Sequence, residues 1–223
     1  MSDGVLAVVL DLDGVLIDSE NIWDEIRRGL AAENHRPWPD DATDLMLGMS
    51  TQEWSAYLVD TVEIPGPAAV VAQTVIARMA DRYREHLPLL PGAVEAVRRL
   101  GQRCPLGLAS SSPRRLIDSV LSAADLTDSF RVTISTEEVA EGKPSPRVYL
   151  AVATDLDVAP EAVVAIEDSS NGLRSASGAG MHVIAVPRPA FPPAPDALSL
   201  ADAVVEHLDD VTVDLVESLV RGS

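Results

Sequence analysis

Two aspartates, Asp11 and Asp13, stand two residues apart in Asp11-Leu12-Asp13-Gly14-Val15-Leu16-Ile17-Asp18-Ser19, directly after the apolar run Val5 to Leu10. On an extended chain residues i and i+2 face the same side, and Gly14 permits a sharp turn beyond them. Carboxylates so arranged suit phosphoryl transfer. Asp11 can attack phosphorus and form an aspartyl phosphate, splitting one hard displacement into two easier ones. Asp13 can protonate the leaving oxygen and then activate water. Three further polar clusters are candidates for the same site. They are Ser110 in Ala109-Ser110-Ser111-Ser112, Lys143 in Glu141-Gly142-Lys143-Pro144-Ser145-Pro146, and the run Glu167-Asp168-Ser169-Ser170-Asn171-Gly172.

A carboxylate attacking a phosphate dianion needs its charge masked. Mg²⁺ does this when held by a few oxygens and waters, and the expected donors are the Asp11 carboxylate, the Asp13 backbone carbonyl and the Asp168 carboxylate. Ser110 and the amide of Ser111 would hydrogen-bond a phosphate oxygen at a helix N-terminus. Lys143 would neutralise both phosphate and nucleophile, with Glu167 and Asn171 as flanking supports. Each cluster also has a plain structural reading as an Asx turn, an N-cap run, a loop or a helix start. Four of them in this order, each where a strand should end, favour chemistry.

The elements that must position these groups alternate along the chain. Val5 to Leu10 reads as a buried strand, because six apolar residues are too few for a core helix and a turn signal closes them. Similar strands are expected at Leu106 to Ala109, Val132 to Ser135, Val163 to Ile166, His182 to Val186 and Ala203 to Val205. Helical spacing lies between them, in Val94, Val97 and Leu100, in Leu116, Val120 and Leu121, and in Val148, Val152 and Leu156. The fold class this predicts is α/β, a doubly wound parallel sheet of Rossmann-like type that binds ligands at the carboxyl ends of its strands.

Residues 19 to about 87 break the alternation. Ile22, Ile26 and Leu30, then Trp54, Tyr57 and Leu58, then Val71, Val75 and Met79 recur at helical spacing without a convincing strand, so an all-helical insertion is expected. Core residues 1–16 and 90–223 would then flank an inserted domain of residues 17–89. Residues Pro187 to Pro195 hold five prolines in nine positions and read as an ordered loop between the fifth and sixth strands.

Composition narrows the chemistry further. With 223 residues, 47% hydrophobic and 23% charged, the chain belongs among globular proteins. It has no run near the ~20 apolar residues that span a bilayer. The first residues lack the basic flank of a signal peptide, and a cytoplasmic, monomeric protein is expected. Cys104 is a lone cysteine, so a cysteine zinc cage is excluded and any metal must be held by oxygen. A net charge of −18 disfavours nucleic acid as a partner. A small phosphorylated metabolite remains, drawn in by local positive charge.

These motifs resemble the haloacid dehalogenase superfamily, and within it the β-phosphoglucomutase-like phosphatases with a helical cap. Asp11-Leu12-Asp13-Gly14 with Asp18-Ser19-Glu20 is similar to the family's first motif, Ser110 to its second, Lys143-Pro144 to its third and Glu167-Asp168 to its fourth. The resemblance implies that the insertion is a cap closing over the site, hinged near Leu16 to Ser19 and Leu87 to Leu90. Asp13 argues against dehalogenation. Thr51 after Gly48-Met49-Ser50, and Trp23 on the first cap helix, stand where mutases of the family carry an arginine and a histidine, so hydrolysis is favoured over phosphosugar mutase activity. Trp23-Asp24, Leu89-Leu90-Pro91-Gly92 and Ser112-Pro113 bring the chain nearest to bacterial phosphatases of hexitol phosphates and 2-deoxyglucose-6-phosphate. Gly48, Met49 and Ser50 are the expected cap contacts to substrate. A third reading, a phospho-accepting signalling domain, fits poorly, because receiver domains carry their acceptor on the third strand and have no helical insertion.

Overall fold

Strand β1, Ala7–Leu10, is apolar throughout because both of its sides are covered. This computed structural model describes residues 7–47 and 49–221. Val5, Leu6 and Gly48 lie outside the described residues. After β1 come four helices, α1 (Glu20–Glu33), α2 (Ala42–Met46), α3 (Thr51–Asp60) and α4 (Ala68–Glu85). Strand and helix then alternate: α5 (Ala93–Gly101), β2 (Leu106–Ser110), α6 (Arg114–Ala123), β3 (Val132–Ser135), α7 (Arg147–Leu156) and β4 (Val163–Glu167). The chain continues through α8 (Ser170–Gly178), β5 (His182–Ala185), α9 (Pro195–Leu198), β6 (Ala203–Val204) and α10 (Val213–Arg221).

The strands form one sheet in the order β3-β2-β1-β4-β5-β6, and every pairing is parallel. The expected strands are all present among the described residues. β2 and β4 run one residue further than expected, to Ser110 and Glu167, while β5 and β6 stop one residue sooner. Period-two alternation divides the core. Val8 and Leu10 pack with Val97, Leu116 and Val216 on one face, and Ala7 and Val9 pack with Val148, Val152 and Leu173 on the other. Each such side chain, buried from water, contributes about 1.5–3 kcal/mol.

The insertion is helical and forms a cap. On α1 the buried residues are Trp23, Ile26, Arg27, Leu30 and Ala31, and Ile22 is only partly buried. The buried stripe is thus turned by about one position from the expected Ile22-Ile26-Leu30 line, because the large Trp23 ring takes the inner place. On α3, Trp54 and Leu58 are buried while Tyr57 is half-buried. The Ser50 hydroxyl caps α3 by accepting from Glu53 N, and Glu53 accepts from Ser50 N at 2.8 Å, a reciprocal capping box. The two linkers run side by side. Asp18 N donates to Pro88 O at 2.8 Å and Leu90 N to Leu16 O at 2.9 Å, around an antiparallel bridge between Ile17 and Leu89.

Candidate active site

β1 and β4 are neighbours at the centre of the sheet, and the chain departs from them in opposite directions along it. Such a switch point leaves a crevice at the carboxyl ends of the two strands. Asp11 follows the last residue of β1, Glu167 closes β4 and Asp168 comes next. The ladder continues past β1, with Asp11 N donating to Ile166 O at 3.1 Å, so the carboxylate of Asp11 is carried on fixed backbone.

Lys143 reaches in from the loop before α7 and uses all three of its N–H bonds. Nζ donates to Asp11 Oδ1 at 2.7 Å, to Glu167 Oε1 at 2.6 Å and to Ala109 O at 3.0 Å. The ammonium also lies 5.1 Å from the centroid of the Tyr149 ring, and Tyr149 Oη donates to Glu167 Oε1 at 2.7 Å. The other oxygen of Glu167 accepts from Asp168 N and Ser169 Oγ, both at 3.2 Å. Burial opposes the charge of Lys143, yet Asp11 and Glu167 outweigh it and hold the amine above its ordinary range.

The acids outnumber this cation. Burial pushes Asp11 well above the usual carboxylate range, against the pull of Lys143 and with the help of Glu167 and Asp13. Burial, then Glu167 and Asp11, push Asp168 the same way. Asp168 Oδ1 is buried without a hydrogen-bond partner. Oxygens of Asp11, Glu167 and Asp168 fall within 4.8 Å of one another. Three buried carboxylates facing one ammonium fit a divalent cation, which would supply the missing positive charge. The hydrogen bonds of Glu167 are already satisfied by Lys143, Tyr149 and backbone, so Asp11 and Asp168 are the side chains left to hold an ion.

Asp13 is held by hydroxyls. Ser19 Oγ donates to one of its oxygens at 2.5 Å, and Ser112 Oγ donates to the other at 2.7 Å. Ser110 Oγ is further away, at 3.4 Å, and accepts from Ser112 N at 2.9 Å. Sequence reasoning singled out Ser110 and passed over Ser112. Alternation would have linked them, since residues 110 and 112 of an extended chain share a side.

A cavity of about 290 Å³ opens between the sheet and the cap. Of the expected site residues, Asp11, Asp13, Met49, Ser111, Lys143, Asp168 and Asn171 line it. Ser110 and Glu167 are wholly buried behind that lining. Ser50 serves as the cap of α3 and is not on the wall, and Gly48 lies outside the described residues. Residues not anticipated also face the cavity. They include Glu20 and Arg27 on α1, and Phe191, Pro192 and Pro193 of the proline-rich loop. Burial and the nearby Asp13 raise Glu20 to about 7. Arg147, after the lysine loop, pairs with exposed Glu141 at 3.2 Å on the surface.

The sequence profile of the haloacid dehalogenase-like hydrolases matches residues 5–180. The chain is 37% identical over 214 residues to hexitol phosphatase B of Escherichia coli, covering 93% of this chain and 95% of the relative. It is 34% identical over 179 residues to the phosphorylated carbohydrates phosphatase of Thermotoga maritima, covering 80% and 83%. The β-phosphoglucomutase of Clostridium difficile superposes with TM-score 0.83 at 21% identity, over 98% of both chains, which establishes the shared architecture of core and cap. The family match and the phosphatase relatives make the chain a phosphoric monoester hydrolase. The chain belongs to the haloacid dehalogenase-like hydrolase family.

Proposed function

We propose that the chain is a Mg²⁺-dependent phosphatase that hydrolyses a small sugar or polyol phosphate monoester through an aspartyl phosphate on Asp11. The observation that carries this reading is the placement of Lys143 Nζ between Asp11 Oδ1 and Glu167 Oε1, at 2.7 and 2.6 Å, at the switch point of the sheet. One Asp11 oxygen is engaged there. The other attacks phosphorus while the ester P–O bond breaks. Asp13, steadied by Ser19 and Ser112, gives its proton to the departing alkoxide, so the alcohol leaves neutral. Asp13 then takes a proton from water as that water attacks phosphorus. The bond between phosphorus and Asp11 breaks, which restores the carboxylate and releases inorganic phosphate.

The amides around Ser111 bind the phosphate oxygens, the charge of Lys143 offsets that of phosphate and nucleophile, and Glu167 with Tyr149 keeps Lys143 in register. Asp11, the Asp13 carbonyl and Asp168 are the groups that would hold Mg²⁺, which, when bound, masks the charge between nucleophile and phosphate. We assign residues 1–16 and 90–223 to the catalytic core and 17–89 to the cap. The paired linkers serve as the hinge, and cap closure excludes water from the first step. The named phosphatase relatives support hydrolysis over mutase activity, and a small phosphorylated metabolite is the expected partner of a cytoplasmic monomer. Phosphate release from a panel of monoesters with Mg²⁺ and with chelator tests the reading. Release that needs the metal and is lost in Asp11→Asn is expected, and equal release from the variant would overturn it.

A further inference from the structure

Arg27 is a buried cation that the hydrolytic scheme does not use. It is 7% exposed, on α1 of the cap, and it lines the same cavity as Asp11 and Lys143. Its guanidinium carbon lies 4.8 Å from the centroid of Trp23 and 5.0 Å from that of Trp54. The two rings are themselves 5.8 Å apart and tilted by 55°. The guanidinium therefore rests against two indoles while Arg27 lines the cavity.

Among the described residues none hydrogen-bonds or ion-pairs with Arg27, and its Nε is buried without a partner. Asp24, one turn earlier, is engaged by Arg28 at 2.6 Å and by Thr43. Glu20, Asp24 and Asp13 act on Arg27 through their charge, without a hydrogen bond to it. A buried donor without an acceptor is costly, whereas a guanidinium edge matches a carboxylate with two parallel hydrogen bonds. Hydroxyl groups of a neutral sugar could accept from that edge singly but would not match its paired N–H groups.

We propose that Arg27 determines substrate class by receiving a carboxylate at the end of the substrate remote from the scissile phosphate. Within the class of small sugar and polyol phosphates, derivatives carrying a terminal carboxylate are then turned over in preference to neutral ones. This rests on the phosphatase reading above, with the phosphate seated at Asp11 and Lys143 and the rest of the molecule extending towards the cap. A second phosphate shares the anionic chemistry of a carboxylate.

The test compares kcat/KM for a phosphorylated aldonic acid, the corresponding phosphorylated hexitol and a hexose bisphosphate, in wild type, Arg27→Met and Arg27→Lys. Wild type is expected to favour the acid over the hexitol by roughly 10–100-fold, the range for hydrogen bonds to a charged group, mainly through KM. Arg27→Met should remove that preference, and Arg27→Lys should keep part of it, retaining the charge without the planar fork. A bisphosphate favoured over the acid would overturn the assignment of a carboxylate and make the remote anion a phosphate. Equal turnover of acid and hexitol by wild type would overturn the inference whatever the variants do, and would leave the phosphatase standing. Undiminished preference in Arg27→Met would overturn it too. No release from any ester would overturn the phosphatase reading and this inference together.

Discussion

A Cβ built on Gly14 would lie 1.8 Å from Oδ2 of Asp168. The turn that follows the two aspartates beyond β1 thus fits against the carboxylate that follows β4 only if residue 14 has no side chain. Its φ of +81° adds a second demand for glycine. Gly14→Ala should destabilise the protein by about 1–3 kcal/mol. It should also lower activity further than that loss accounts for, since Asp168 must move. Denaturant unfolding and phosphate release on the same preparation separate the two effects. Full activity in the variant would show that the position of Asp168 is not critical.

Removing the ammonium of Lys143 leaves Asp11 and Glu167 buried without their shared partner. Lys143→Met should therefore cost about 3–5 kcal/mol in stability and abolish turnover. Glu167→Gln keeps one acceptor for Lys143 and Tyr149 and should cost less. Chemical denaturation of the three proteins ranks them. A Lys143→Met protein as stable as wild type would remove the lysine from its place as the hub of the site.

Asp13 is assigned the proton transfers, so Asp13→Asn should slow hydrolysis of the aspartyl phosphate and let it accumulate. Intact mass after mixing with substrate should show one added phosphate, absent from Asp11→Asn. Were no covalent phosphate found in either the variant or wild type, the role given to Asp13 would not stand.

The folded protein raises Glu20 from an ordinary 4.5 to about 7. Because the neutral form is favoured on folding, its contribution to stability is fully present below about pH 4.5 and is lost as pH rises through about 7. Glu20→Gln removes this loss. In chelator, the variant should be more stable than wild type by about 1–3 kcal/mol near pH 8 and by less near pH 5. Thermal melts across that range give the comparison, and a difference that does not change with pH would place Glu20 in water.

Much of this was legible in the sequence because strand ends punctuate it. Short apolar runs closed by Asp11, Ser110 and Glu167 gave both the sheet and the side of it on which polar groups gather. Lys143 was legible as a candidate, but its anchor Tyr149 was not, since a tyrosine on a helix facing the core looks like packing. Arg27 was hidden in the charged run Asp24-Glu25-Ile26-Arg27-Arg28, which reads as a solvent face. Its spacing of four from Trp23 and three from Leu30 held the missing signal, because those positions share one helix face. Phe191 and its neighbouring prolines reach the cavity from a loop without periodicity, so nothing local marked them.

On the proposed mechanism everything turns on Asp11 as the carrier of the phosphoryl group. The most direct measurement is phosphate release from sugar, polyol and sugar-acid monoesters by wild type and Asp11→Asn, each with Mg²⁺ and with chelator. Release is expected from wild type with Mg²⁺, little with chelator, and none above background from the variant. Release by Asp11→Asn at the wild-type rate would contradict it.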